Sequence, residues 1–122
     1  MNLSKKDFLK VSTVNRTVLL VTPKQPYMDW ANSFEDGGPT IEPDKLRHTA
    51  YLIPDTYDEH NYENWLKKNC KEIFIMELES WMVVPESYPK KMTYKVFKEW
   101  FEVRVADSVI DFGKGQVETE EY

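Results

Sequence analysis

The stretch Arg16-Thr17-Val18-Leu19-Leu20-Val21-Thr22-Pro23-Lys24-Gln25-Pro26-Tyr27-Met28-Asp29-Trp30-Ala31 decides how this chain folds. Thr17 to Val21 form a continuous β-branched and aliphatic run, which predicts a strand covered on both faces. Pro23 and Pro26 break the run, and Pro26 suits the first turn of a helix, where a missing N–H costs nothing. Tyr27, Trp30, Ala31 and Phe34 then recur at i, i+3, i+4 and i+7, the spacing of one helical face turned to a core.

Working outward, Ser4, Asp7, Phe8 and Val11 predict a short helix over 4–11. Downstream, Asp36-Gly37-Gly38-Pro39 stops the helix that Pro26 starts, and Thr40 caps a short turn through Leu46. Thr49 to Ile53 is a second strand, closed by Pro54 and Asp55. Thr56 and Glu59 have the spacing of a capping box and open the longest helix, which runs to about Met82. Along it Leu66, Cys70, Phe74, Leu78 and Met82 step by four. Pro85 and Pro89 mark a loop, and Thr93 caps a third helix whose Phe97, Trp100 and Phe101 point inward. Glu102 to Phe112 is the last strand, with a change of phase at Asp107 and Ser108 that predicts a bulge or an edge position.

The expected order is β-α-β-α-α-β, an α+β or small α/β domain. A three-stranded sheet, packed by three main helices, contains a βαβ unit whose two strands run parallel with a right-handed crossover. The single domain spans 15–113. Before it lies the N-terminal segment 1–14, and after it an acidic tail, 114–122, expected to be mobile.

Composition narrows the function classes. A chain of 122 residues has room for one hydrophobic core, and 14% aromatic residues supply the surface to bury. A net charge of −5 argues against nucleic acid as a partner. One cysteine excludes an intramolecular disulfide, no apolar run approaches a membrane span, and Lys5 and Lys6 are followed by no signal-peptide core. The expected setting is the cytoplasm.

Chemistry is sparse. If the first two strands are parallel, their C-terminal rim gathers Lys24, Tyr27, Asp29, Trp30 and Asp55, the favoured place for a ligand in such a sheet. Against that, Asp55, Asp58 and Glu59 also suit the cap of the long helix, and Lys24 suits an ion pair with one of them. Asp107 and Asp111, four apart on one strand, share a face and could serve a metal or acid–base chemistry, although edge strands carry such charges for solubility. Asp55, Asp58 and His60 do not converge as metal ligands, and His48 lies at the other end of its strand. Cys70 sits on the apolar stripe, where a thiol is inert. No catalytic constellation, metal site or cofactor motif is expected.

The chain resembles a group of small uncharacterised bacterial proteins over roughly Asn15 to Gly113. The likeness rests on Arg16-Thr17, Lys24-x-Pro26-Tyr27-x-Asp29-Trp30, Tyr51-Leu52-Ile53-Pro54, Trp65-Leu66, Ile73-Phe74, Glu77-Leu78-x-x-Trp81 and Thr93-Tyr94-x-x-Phe97-x-x-Trp100-Phe101. The resemblance implies a single bacterial domain and brings no activity with it. At Ala106-Asp107-Ser108 the chain departs from the group's His-Ser pattern, which argues against an imidazole-dependent role there. The expected function is therefore a cytoplasmic, non-enzymatic binding or protein-interaction domain. Its partner is expected to be a protein, and an exposed last strand permits dimerisation through its edge. A small enzyme or ligand-binding domain, with its site at the rim, is the alternative.

Overall fold

The computed structural model describes residues 11–34 and 47–122. The expected helix over 4–11, the glycine-rich stop and the turn through Leu46 lie outside the described residues.

Among the described residues, nine elements follow in order: β1 (Ser12–Thr13), β2 (Arg16–Pro23), α1 (Gln25–Ala31), β3 (Thr49–Pro54), α2 (Tyr62–Glu79), a 3₁₀ turn (Pro85–Ser87), α3 (Tyr94–Trp100), β4 (Phe101–Ala106) and β5 (Ile110–Asp111). The main succession β2-α1-β3-α2-α3-β4 is the α+β order read from the sequence. β2 is the centre of a three-stranded sheet, flanked by β3 and β4. The strand–helix–strand segment β2-α1-β3 is present with its strands adjacent, but they run antiparallel: Arg16 faces Pro54 and Val21 faces Thr49. β4 is also antiparallel to β2, with Val18 opposite Ala106 and Pro23 opposite Phe101. The expectation of parallel strands is therefore corrected. A run as apolar as Thr17–Val21 fits the centre of either kind of sheet, so apolarity carries no information about direction.

Burial alternates along β2. Thr17, Leu19, Val21 and Pro23 are buried, while Val18, Leu20 and Thr22 on the other face are half-covered. Residues 50 and 52 of β3 and 102, 104 and 106 of β4 continue that outer face and are exposed. The helices thus cover one face of the sheet, and the strand is not closed in on both sides as the sequence reading expected. The core between sheet and helices is aromatic: Phe74 meets Phe101 edge-on at 5.2 Å, and Phe97 meets Phe101 at 5.1 Å.

The last strand is shorter than expected. β4 stops at Ala106, and the chain then pairs Ile110 and Asp111 with Thr13 and Ser12 in a separate two-stranded ribbon. The phase change at Asp107 and Ser108 marks a departure from the sheet. Among the described residues, no helix is long and apolar enough to cross a membrane.

Candidate functional site

Antiparallel pairing separates the expected rim. Lys24, Tyr27, Asp29 and Trp30 follow the Pro23 end of β2, whereas Asp55 follows the Pro54 end of β3, beside Arg16 at the other end of the sheet.

The residues at the Pro23 end are engaged in joining elements. The Lys24 backbone N–H donates to the Trp100 carbonyl at 2.7 Å, and its Nζ donates to the Lys98 carbonyl at 3.0 Å. An ammonium here satisfies a free carbonyl and opposes the negative end of α3. The buried Tyr27 packs on Trp30 and Phe101, and its hydroxyl donates to the Glu77 carbonyl at 2.7 Å. Burial pushes its phenol up to about 12, with the Glu77 charge adding and Ser80 opposing. Asp29 is exposed and accepts from Gln25 on its own helix at 2.8 Å. Trp30 is buried, with Nε1 donating to Ser87 Oγ at 3.1 Å.

Most of the remaining carboxylates with a backbone partner serve local turns. Asp58 Oδ1 accepts from the N–H groups of His60 and Asn61, while Asn61 Oδ1 accepts from the Asp58 N–H at 2.7 Å. This reciprocal pair shapes the turn leading into α2, two residues later than the box expected at Thr56 and Glu59, while Asn61 at the N-cap itself makes no side-chain cap hydrogen bond. Asp107 Oδ2 accepts from the Glu59 N–H at 3.4 Å, whereas Asp111 Oδ1 accepts from the Gly113 N–H at 2.7 Å. These two acids thus serve different segments: Asp107, in the break between β4 and β5, holds the stretch before α2, and Asp111 holds the turn after β5. Asp55 is exposed. Cys70 is buried, which raises its thiol pKa. Among the described residues, no group of three or more His, Cys, Asp or Glu side chains could hold a metal ion.

Two places escaped the sequence reading. The first is Glu77, a carboxylate only 6% exposed within the apolar stripe of α2. Its Oε2 accepts from Tyr51 at 2.8 Å and from Thr49 at 3.1 Å, tying α2 to the start of β3. Burial raises its pKa, and the two hydrogen bonds oppose that rise. The signal was present: Glu77 stands four after Ile73 and three after Phe74, on the buried face.

The second is a groove of about 190 Å³ between α2, α3 and β4, lined by Tyr62, Glu63, Leu66, Tyr94, Phe97, Lys98, Phe101 and Val103. Tyr94, Phe97 and Lys98 stand at i, i+3 and i+4, so one stripe supplies the α3 wall, and Phe101 and Val103 come from β4. Its inner members are core, while Tyr94 is only half-buried. The Tyr94 hydroxyl donates to Glu63 Oε1 at 2.5 Å, and Lys98 Nζ lies 4.8 Å from the centre of the Tyr94 ring. Burial and the Glu63 hydrogen bond both raise the Tyr94 pKa. The groove opens beside β4, which among the described residues pairs only with β2 and leaves its second edge without a strand.

In comparisons with known proteins, no family model, no curated protein and no solved structure matches the chain.

Proposed function

We infer that this chain is a non-enzymatic protein-interaction domain of the cytoplasm, and that it takes its partner along β4 and the adjoining groove. The observation that carries this reading is the groove itself, an aromatic-walled recess set against a sheet edge that, among the described residues, has no neighbouring strand. Its volume of about 190 Å³ suits one or two side chains, well below the roughly 300–1,000 Å³ typical of small-molecule sites. An edge strand offers a row of backbone donors and acceptors, and a recess beside it gives specificity to alternate side chains of an added strand. The cytoplasmic setting is supported by the lone, buried, unpaired thiol of Cys70.

A photo-crosslinking residue tests the reading. Placed at Lys98 and irradiated in a lysate of the protein's own cells, it is expected to give a discrete protein adduct. The same residue at Glu72, on the exposed face of α2, is expected to give none. Equal labelling at both positions, or no adduct at Lys98, would remove the groove as the site.

A further inference from the structure

The segment that leads into the groove's α3 wall has a charge character that the whole chain lacks, although the lining itself holds one base, Lys98, and one acid, Glu63. Against a net charge of −5, the segment that supplies its α3 wall carries Lys90, Lys91, Lys95 and Lys98, with no acid between Pro89 and Lys98. These four lysines are exposed. Glu63, the acid lining the groove, already accepts the Tyr94 hydroxyl. The adjoining edge therefore suits an extended segment that is acidic and able to form a strand.

The chain carries such a segment. Val117-Glu118-Thr119-Glu120-Glu121-Tyr122 combines strand-forming Val, Thr and Tyr with three glutamates and alternates as far as Glu120. It adopts no regular structure in its own chain, and it buries almost nothing there: Val117 is 62% exposed and Tyr122 99%. Every residue of the segment is exposed, so in this arrangement it does not fill its own groove.

Building on the groove reading, we propose that the occupant is residues 117–122 of a second copy of this chain, added as a strand along the free edge of β4. Charge sets its direction. Lys98 lies just before the start of β4 and Asp107 just after its end. Glu120 and Glu121 therefore lie toward Lys98 and Val117 toward Ala106, which makes the added strand antiparallel to β4. Such a contact is heterologous, groove to tail, so one copy can accept a neighbour and donate to another.

Charge reversal in the full-length chain tests this by sedimentation equilibrium at low salt. The natural chain is expected to self-associate in a concentration-dependent way that weakens with added salt. Glu120→Lys with Glu121→Lys, and separately Lys95→Glu with Lys98→Glu, are each expected to weaken association roughly tenfold or more, since each change swaps attraction for repulsion. All four substitutions are exposed, and unchanged melting temperatures confirm the fold. Mixing the two doubly substituted chains is expected to restore association, because each groove then meets a tail of opposite charge. A natural chain that stays monomeric to millimolar concentration would overturn the proposal, as would self-association insensitive to both reversals. The photo-crosslinking experiment judges the parent reading separately. An adduct at Lys98 to a different protein, with no self-association, removes the second copy and keeps the interaction domain.

Discussion

Glu77 occupies a position that its neighbours would give to leucine. The charge is kept off the core by two hydroxyl donors, Tyr51 and Thr49, which converge on one carboxyl oxygen. Because burial raises its pKa above the ordinary value of 4.5, the folded chain holds this proton at a pH where the unfolded chain has released it. Its contribution to stability is therefore fully present below that ordinary value and is lost as pH rises through the raised folded one. Melting temperatures recorded from pH 4 upward are expected to show that decline in the natural chain. They are expected to show a flatter course in Glu77→Gln, which still offers an oxygen to Tyr51 and Thr49 but cannot ionise. Thr17 poses a simpler case. Its buried hydroxyl donates to the Tyr57 carbonyl at 2.5 Å. Thr17→Val keeps the shape and strands that carbonyl, at an expected cost of about 1–3 kcal/mol in denaturant unfolding.

At the scale of elements, local chemistry sets where helices begin. Asp58 and Asn61 exchange hydrogen bonds at the start of α2, and Thr93 Oγ1 accepts from the Val96 N–H at 3.3 Å at the start of α3. Asp58→Ala is expected to lower stability by about 1 kcal/mol, and Thr93→Ala by about 0.5–2 kcal/mol, both readable in urea melts. Most of this level was legible. The stripe Tyr27, Trp30, Ala31 announced α1, Leu66 to Leu78 announced α2, and Thr93 announced its own cap. The α2 cap was misplaced because Thr56 and Glu59 offer the same spacing two residues earlier. The sheet direction was not legible, since a strand's side-chain pattern is the same whether its neighbour runs with it or against it. That single ambiguity split the expected rim, sending Asp55 to the far end from Lys24. The groove was hidden for a related reason. Its walls come from residues 62–66 and 94–103, and no pattern within either stretch reports how far apart they settle.

At the scale of the whole molecule, the described residues form two layers, with Leu19, Val21 and Ile53 of the sheet sharing a core with Leu66, Phe74, Leu78 and Phe97 of the helices. Phe74 sits at its centre, fully buried and in ring contact with Phe97, Trp100 and Phe101. Phe74→Ala is expected to cost about 3–5 kcal/mol, a large part of a small domain's stability, and a thermal melt should register it as a fall of many degrees. The opposite substitution on the bare face makes the contrast. Leu52→Lys, at a site already 54% exposed, is expected to shift stability by no more than about 0.5 kcal/mol.

The central position of β2 has a consequence for how the protein is made. Val18 must find Leu52 on one side and Ala106 on the other. A ribosome adds residues in order, so β2 emerges before both of its neighbours, β3 next and β4 well after it. At roughly 5–20 residues per second the delay between Val18 and Ala106 is about 4–20 seconds. Throughout that interval the most apolar strand of the chain is incompletely paired, and whatever shelters a nascent polypeptide must guard Thr17 to Val21 first.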